Sequence, residues 1–512
     1  MDYWKRLCPS HIYIVNPTTL IPPSIINKEY DLTTCEKFQI SHTNAEGDFA
    51  VAPQQSIAAG SLILQEEPYA FEIRDDLEQR TCPGCLSTLD HNITISTTRC
   101  RQASCTWNLV YCSPSCETRY WFLLHMYVCP FRTEFRSKHS LLLAFQIWTK
   151  SIISQQSSFD SFSSTQSNNQ LDSLVDNMDQ HAETDLDRYR QEAKQISRLF
   201  IFSMNETKDM EDKLVRYQAL IRCNGFGVQR RLISNYDASY TTGTNSLSSS
   251  SSSVMVSIGT VATAIYPLAS KFNHSCQPNV IALFLGTQLQ LRALRLIHPG
   301  QRLSISYGPL AANLPKSKRQ QQLLDHYFFT CHCQACQVTP DQSISPECEH
   351  IYLCSSCKYT RISANESKCP QCGITIDWNK IHNMEETIET YRQHGLWDKV
   401  LKYQLNIYHD QALPIGKTYD QLARICHSTH QSKEAVLYCE RSLRVVQSVY
   451  GESSPEAAEE MFKLCGLLIT SRHDLTKAQY WIKKTRDLYY LLGLDQQLKD
   501  DIEELNAMIA CI

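Results

Sequence analysis

The chain has 512 residues and a formal net charge of −4, and 42% of its residues are hydrophobic. This length allows two to four domains, and the composition is typical of a soluble globular protein. The small net charge excludes a global electrostatic attraction to nucleic acid, although binding through a local basic patch stays open. We expect an intracellular protein without membrane contact, because residues 1–17 lack a continuous apolar segment and Leu141–Trp148 is too short to span a bilayer.

Two short strands are predicted near the N-terminus. The segments Gly47–Ala52 and Ile57–Pro68 have the composition of strands joined through a glycine-containing turn. Residues 1–45 ahead of them form a polar, proline-bearing leader, for which we predict no element.

Eight soft metal ligands follow within fewer than fifty residues. They form pairs with two to four residues between the partners: Cys82 and Cys85, Cys100 and Cys105, Cys112 and Cys116, His125 and Cys129. Zinc takes four nitrogen or sulfur ligands tetrahedrally, and a close pair lets one backbone turn present both ligands. Eight ligands therefore predict two closed zinc sites. Because most of the 23 cysteines lie in such short clusters, metal binding in a reducing compartment is favoured over disulfides.

The next hundred or so residues are predicted to be helices that flank a loose insertion. Ser140–Ser151 and Leu186–Met204 have helical character, and Ser151–Asn169 is too polar to bury a core. Ser246–Ser253 is a nearly pure serine run, which we interpret as a solvated linker.

A loop rich in functional groups follows at Asn273–Asn279, which combines amides, an imidazole and a thiol. After it, Leu289–Ala293 and Leu303–Tyr307 alternate as half-buried strands do, and Tyr307 comes just before a glycine. Taken alone, these residues also fit a core loop with a buried cysteine followed by an ordinary strand tyrosine.

Two more cysteine clusters follow the predicted strands. Cys331, Cys333 and Cys336 are one ligand short of a tetrahedral zinc site, and His332 is one candidate for the fourth ligand. A separate set has the spacing of a zinc ribbon: Cys354, Cys357, Cys369 and Cys372. The ribbon is interpreted as a structural staple or as a partner-binding surface.

The sequence after Trp378 is predicted to be helical to its end. Apolar residues from Val436 to Tyr450 and from Leu475 to Leu492 follow helical spacing, and Ser454 has the pattern of a helix cap. We interpret this part as stacked helical hairpins that resemble tetratricopeptide repeats.

The order of these motifs resembles that of the SET-and-MYND protein-lysine methyltransferases. The resemblance rests on Asn273–Asn279 with Tyr307–Gly308, on the finger-like Tyr111–Cys116, and on Cys223–Phe226, which is similar to the family's Asn-x-Phe motif. It covers about residues 47–336 and the helical tail, whereas the ribbon sets the chain apart from the best-known members as a divergent branch.

The implied fold class is α+β, with a SET β-fold split by a MYND zinc finger and a helical insert. The expected domains are a leader with N-terminal SET strands (1–81), the MYND finger (82–129), the helical insert with its linkers (130–253), the catalytic SET core (254–308), a post-SET segment (309–346), a zinc ribbon (347–377) and a helical domain similar to tetratricopeptide repeats (378–512).

The resemblance also implies the chemistry, which is methyl transfer from S-adenosylmethionine to protein lysine with Tyr307 as the catalytic residue. The implied cofactor-binding residues are Gly47, Asn224, Asn273, His274, Tyr307 and Phe329. The implied substrate-channel residues are Tyr266, Tyr327 and Phe329.

The resemblance further implies how the metal ligands are grouped. In the finger, the first and third pairs share one zinc ion, and the second and fourth pairs share another. Cys276 is preferred over His332 as the fourth post-SET ligand, which makes about four zinc ions with the ribbon.

Two departures from the family pattern favour an alternative function. Asp48 stands where relatives usually carry a basic residue, and Pro299–Arg302, with Gln301 and Arg302 after Gly300, occupies the turn where relatives often have Gly-Glu-Glu. The alternative is a catalytically silent adaptor that recruits partners. The expected partners are a substrate protein with a target lysine and a proline-containing peptide at the finger, and we expect a monomer in cytoplasm and nucleus.

Overall fold

The computed structural model describes residues 38–43, 47–77, 80–87, 89, 98–103, 105, 107, 109–121, 125–129, 132–135, 138–156, 171–199, 204–235, 254–311, 314–337, 351–358, 360–362, 366–452, 454–471, 474–492, 503, 506 and 507. Most of the predicted leader, most of the polar segment Ser151–Asn169 and the serine run Ser246–Ser253 lie outside these residues. The chain divides into two units, which are described separately. The first contains Leu64–Lys271 and Ala282–Leu291, and the second contains Lys37–Ile63, Phe272–Ile281 and Arg292–Ile512.

The strands are β1 Gln39–Thr43, β2 Gly47–Val51, β3 Leu62–Glu66, β4 Ala70–Ile73, β5 Thr98–Arg99, β6 Val110–Tyr111, β7 Gly225–Asn235, β8 Val254–Ile265, β9 Asn273–His274, β10 Val280–Leu285, β11 Gln288–Ala293, β12 Ser304–Ile305, β13 Tyr352–Leu353 and β14 Arg361–Ile362. The α-helices are α1 Pro114–Tyr120, α2 Met126–Val128, α3 Arg132–Phe135, α4 His139–Gln156, α5 Glu183–Ser197, α6 Met204–Asn224, α7 Lys316–Tyr327, α8 Gln334–Gln337, α9 Trp378–Gln393, α10 Trp397–Ile407, α11 Leu413–Ser428, α12 Ser432–Tyr450, α13 Pro455–Ser471 and α14 Leu475–Leu492. Among the described residues, no helix is both long and apolar enough to cross a membrane.

The first unit is built on an antiparallel sheet in which β8 lies between β4 and β7. A second sheet has the order β10, β11, β3. Helix α4 packs against β4 and α6, and its apolar run Leu141–Trp148 is buried on all sides. The buried side chain of Gln146 accepts a hydrogen bond from the backbone N–H of Phe71, at 3.2 Å, which ties α4 to β4.

One predicted helix in this unit is too long. The run Leu186–Met204 was expected to be continuous, but α5 ends at Ser197 and α6 begins at Met204. The hydroxyl of Ser197 is directed to the carboxylate of Glu211 on α6. The same hydroxyl lies 3.2 Å from the carbonyl oxygen of Lys194, one turn back, and such side-chain-to-backbone bonds compete with helix continuation. The contact with Glu211 connects the two helices.

The second unit begins with a hairpin whose first strand we did not predict. Strand β1 pairs with β2 so that His42 lies opposite Asp48. The backbone of β2 continues into hydrogen bonds with the turn before β12, because Ala52 N–H donates to Gln301 O at 2.8 Å. The guanidinium of Arg302 lies 4.0 Å from the centre of the Phe49 ring, so this turn packs on β2 rather than projecting freely into solvent.

The helical domain occupies the C-terminal part of the second unit. Helices α9 to α14 pack in chain order, each against the next, as stacked hairpins do. The Ser454 hydroxyl accepts the N–H of Ala457, which confirms the predicted cap of α13. The end of α14 lies against the turn before β3, where a side chain at Gly60 would place its Cβ 2.2 Å from the carbonyl oxygen of Leu491. Gly60 also has φ +78°, so glycine is required there for two reasons.

Candidate active site and metal centres

The loop after Phe272 is held against β12 by short-range pairing. Strands β9 and β12 are parallel, with Asn273 opposite Ser304. The buried side chain of Asn279 donates to the carbonyl of Arg302 at 2.9 Å and accepts the N–H of Ser304 at 2.9 Å. These contacts fix β12, and therefore the position of Tyr307 two residues after it.

His274 connects the candidate catalytic tyrosine to a cysteine. Its Nδ1 accepts the backbone N–H of Tyr307 at 3.0 Å, and its Nε2 lies 3.4 Å from the Sγ of Cys276. Burial lowers the pKa of His274 to about 4, so the ring is neutral near pH 7. Since Nδ1 is an acceptor, the single ring proton lies on Nε2 and is donated to the sulfur. The imidazole thus holds Tyr307 and Cys276 in one arrangement.

Tyr307 lies in an aromatic cluster. Its ring centre is 5.0 Å from that of Tyr327, 5.4 Å from that of His274 and 6.2 Å from that of Phe329. Its hydroxyl donates to the carbonyl oxygen of Phe272 at 3.0 Å. Burial raises the pKa of Tyr307, so the phenol stays protonated. Because its proton is directed to Phe272, the phenol oxygen is oriented to accept a hydrogen bond from a ligand.

Tyr327 and Phe329 complete the cluster from the end of α7. The hydroxyl of Tyr327 donates to the backbone carbonyl of Tyr307 at 3.1 Å. Phe328 then takes a left-handed conformation with φ +62°, which ends the helix and turns the chain, and Phe329 also packs against Tyr307, edge to face. The structure therefore brings together four of the predicted site residues: His274, Tyr307, Tyr327 and Phe329.

The post-SET thiols form a quartet with the cysteine of the loop. The sulfur atoms of Cys276, Cys331, Cys333 and Cys336 all lie within 4.8 Å of one another. His332, the rival ligand, is exposed. Tetrahedral zinc with Zn–S bonds of about 2.3 Å needs sulfur atoms about 3.8 Å apart, and the Cys276–Cys336 distance is 3.6 Å. The donor set fits a structural zinc ion.

Helix α7 supports this quartet through two residues that the sequence did not reveal. Arg319 is 2% exposed, and its Nη2 lies 3.8 Å from the Sγ of Cys336 and 3.5 Å from the carbonyl of Ala335. The amide of Gln320 exchanges two hydrogen bonds with the backbone of Cys331, at 2.7 and 2.8 Å. Four thiolates around one divalent ion carry a net charge of −2, so a buried guanidinium beside them reduces the charge imbalance.

The finger assembles two further quartets with the grouping that the resemblance implies. One contains Cys82, Cys85, Cys112 and Cys116, and the other contains Cys100, Cys105, His125 and Cys129. Nε2 of His125 lies 3.3 Å from the Sγ of Cys105, so this nitrogen is the one placed to bind metal. Gly84 is needed at the first quartet, because a Cβ there would lie 2.5 Å from that of Cys116. The fourth quartet is that of the predicted ribbon: Cys354, Cys357, Cys369 and Cys372.

Two other predicted site residues belong to the first unit. Asn224 ends α6, and its amide donates to the carbonyls of Val175 and Leu220 at 2.8 and 2.9 Å. Tyr266 has no exposed surface, and its hydroxyl donates to the carbonyl of Thr287. Tyr266 is thus a core residue and Asn224 is partly buried, and their channel and cofactor functions stay predictions.

The N-terminal predictions fall on the β1–β2 hairpin. Gly47 begins β2 opposite Thr43. Asp48, where a basic residue was expected, accepts a hydrogen bond from Nδ1 of His42 at 2.8 Å. The neighbouring strand therefore brings a basic group to the carboxylate that departs from the family pattern.

Comparison with known proteins agrees with this arrangement. The sequence model of the SET domain matches residues 48–308, just over half of the chain, and the protein therefore belongs to the SET domain family. Its similarity is to the SET-and-MYND protein-lysine methyltransferases. It is 28% identical over 274 residues to the protein-lysine N-methyltransferase SMYD4 of Pongo abelii. The aligned region covers 49% of this chain and 33% of that relative.

Two other relatives match over different lengths. The N-lysine methyltransferase SMYD2 of Bos taurus is 26% identical over 291 residues, with 55% of this chain and 56% of the relative covered. The histone-lysine N-methyltransferase ASHR1 of Arabidopsis thaliana is 21% identical over 423 residues, with 77% and 79% covered. The chain thus spans about a third of the SMYD4 relative, and most of ASHR1 at lower identity.

Proposed function

We propose that the protein transfers methyl groups from S-adenosylmethionine to lysine side chains of other proteins. The observation that carries this proposal is the aromatic cluster around Tyr307, which His274 connects to a quartet of thiols in a chain of the SET family. The relatives bear names of lysine methyltransferases, which supports the same chemistry here.

S-adenosylmethionine would supply an electrophilic methyl group on a positively charged sulfur. The residues proposed to hold it are Gly47, Asn224, Asn273, His274, Tyr307 and Phe329. Within the second unit, His274 keeps its ring fixed between Tyr307 and Cys276, so the loop that would contact the cofactor is ordered before binding.

The acceptor amine must reach the site without its proton, because lysine has a pKa of about 10.4 in water. The rings of Tyr307, Tyr327 and Phe329 form an apolar surface that disfavours an ammonium ion. The Tyr307 hydroxyl donates its proton to the backbone carbonyl of Phe272, so its oxygen can accept one N–H of the neutral amine. This hydrogen bond would orient the lone pair of the amine nitrogen. Alignment and exclusion of water thus contribute more than a strong base. Tyr266, in the first unit, is proposed as a further channel residue.

We further propose zinc at all four quartets. Thiolate and imidazole donors at these spacings favour zinc in closed structural sites. The proposed substrates are histone or non-histone proteins, and a proline-containing peptide is the proposed ligand of the finger. The proposed state is a monomer in cytoplasm and nucleus.

The first test is calorimetry of the full-length protein with S-adenosylmethionine. Wild-type protein should bind one equivalent, and His274→Ala should bind more weakly, because its loss frees the loop. Lack of binding by the wild type would contradict the proposal and favour the adaptor alternative. Asp48→Arg would then show whether the carboxylate on β2 is the cause, by restoring binding.

A further inference from the structure

The fourth quartet belongs to a small segment, residues 351–377, which we call the ribbon. Its two turns present the ligands in pairs. Lys358 N–H donates to Cys354 O at 3.0 Å, and Gly373 N–H donates to Cys369 O at 2.9 Å. Lys358 and Gly373 have φ values of +62° and +69°, which close each turn tightly behind its two thiols. The four sulfur atoms lie within 4.8 Å of one another, so the donor set fits a tetrahedral zinc ion.

The inner face of the ribbon is part of the core of the helical domain. Ile351, Tyr352 and Ile362 are each at most 8% exposed, as are the ligands Cys354 and Cys369. These residues share one hydrophobic cluster with helical residues of α9, α10, α11 and the turn between α10 and α11: Ile388, Val400, Leu401, Ile407, Tyr408, Ala412, Ile415, Tyr419 and Leu422. The predicted boundary at residue 377 therefore passes through a continuous core.

Polar contacts fix the ribbon on these helices. The hydroxyls of Tyr352 and Tyr408 both donate to Oε1 of Glu385 at 2.9 Å, so one carboxylate on α9 bridges the ribbon and the end of α10. His409 N–H donates to Ile351 O at 2.9 Å. The indole of Trp378, at the start of α9, donates to Glu366 O at 2.9 Å. The interface is thus both apolar and geometrically specific.

The outer face of the ribbon is polar and exposed. Ser356, Lys358, Lys368 and Gln371 are all exposed there. Stacked helical hairpins need an end unit that covers the apolar face of the first hairpin and presents a polar face to solvent. The ribbon satisfies both conditions, and α9, against which it packs, is the first helix of the array.

We propose that the ribbon, with the zinc ion already proposed at Cys354, Cys357, Cys369 and Cys372, is the metal-dependent cap of the helical domain. A segment this short cannot fold on its own hydrophobic core, so metal binding supplies its folding free energy. Loss of the ion should release the ribbon and expose the apolar side of α9, α10 and α11. The proposal depends on the metal at this quartet and not on methyl transfer.

The test combines metal analysis with hydrogen exchange of the full-length protein. In the variant Cys354→Ser/Cys369→Ser, zinc should fall by one ion per chain. Exchange in α9, α10 and α11 should become at least about tenfold faster, while α14 and the finger keep wild-type rates. The control Cys426→Ser removes a buried thiol of α11 that belongs to no quartet, and it should retain all the zinc and change exchange far less.

A second variant distinguishes loss of the cap from general misfolding of the cysteine variant. Glu385→Ala keeps every ligand but removes the carboxylate that bridges Tyr352 and Tyr408, so it should keep its zinc and still exchange faster at the ribbon and at α9. Loss of one zinc with unchanged exchange in α9 to α11 would overturn the cap. Unchanged zinc in the double cysteine variant, or iron at this quartet in the wild type, would overturn the metal assignment.

Discussion

His274 joins two parts of the site that are usually considered separately. Its Nδ1 holds the backbone of Tyr307, and its Nε2 lies against Cys276, a member of the post-SET quartet. A change at the thiol quartet therefore reaches Tyr307 through one side chain. At the residue scale, this makes the surroundings of the thiols as important for the site as the thiols themselves.

Arg319 provides the sharpest test of that idea. Arg319→Met removes a buried positive charge in contact with Cys336, so the post-SET site should lose affinity for zinc. Loss of a supporting residue of this kind typically lowers metal affinity by about ten- to a hundredfold. Competition with a chromogenic chelator would measure it. The control is Lys318→Met, which removes an exposed positive charge from the adjacent position of α7.

Equal zinc retention by both variants would show that the guanidinium has no influence on the metal. The sequence could not have revealed Arg319. A single arginine in a helix with Lys316 and Lys318 looks like part of a solvated basic face, and only the packing of α7 against Cys336 distinguishes it.

At the scale of elements, strand β12 is short and depends on the side chain of Asn279. This amide replaces the ladder bonds that a longer strand would make, because it pairs with both Arg302 and Ser304. The loop and the strand are thus one structural unit, and Tyr307 follows directly from it.

Asn279→Ala should therefore destabilise the protein by about 1 to 3 kcal/mol, since it removes the partner of the part-buried Arg302 carbonyl and of the part-buried Ser304 N–H. Urea denaturation would measure this loss. Gln277→Ala, an exposed change in the same loop, should stay within about 0.5 kcal/mol of wild type. If the two variants are equally stable, Asn279 does not hold β12.

Elements with local signals were predictable, and those with distant partners were not. The pairs of cysteine and histidine ligands and the helix cap at Ser454 depend on spacings of a few residues, and each appears where expected. Strand β1 escaped notice because its sequence, Gln39–Thr43, is mostly polar and is stabilised by pairing with β2. The end of α5 at Ser197 coincides with contacts of its hydroxyl to Lys194 and Glu211, which periodicity does not encode.

At the scale of the whole molecule, four quartets of potential metal ligands are distributed along the chain from the finger to the ribbon. Elemental analysis of the purified protein should return four zinc ions per chain, because each of four quartets offers a closed donor set. Two or fewer would contradict at least two sites. Cys276→Ser should return three and also weaken cofactor binding, since Cys276 belongs to the post-SET quartet and contacts His274.

The sequence also predicted the order of modules but not how they share cores. The sequence predicts the ribbon and the helices as two separate, adjacent domains. Each has its own local pattern, which is cysteine pairs in the ribbon and helical periodicity in the helices. Their common core joins Ile351 and Tyr352 to residues as distant as Leu422, and no local pattern reports such contacts.

The role proposed for Tyr307 is in methyl transfer to lysine. The decisive measurement is mass spectrometry of mono-, di- and trimethyl-lysine after incubation of the protein with deuterium-labelled S-adenosylmethionine and a pool of cellular proteins. The comparison is between the wild type and Tyr307→Phe, which keeps the ring but removes the hydroxyl held by Phe272. Tyr480→Phe, at a tyrosine 58% exposed on α14, is the matched control.

Wild type and control should label lysine, and Tyr307→Phe should do so about ten- to a thousandfold more slowly, a barrier increase of about 1.4 to 4 kcal/mol, with little change in cofactor affinity. A wild-type protein that binds the cofactor yet labels no lysine above Tyr307→Phe would contradict the account.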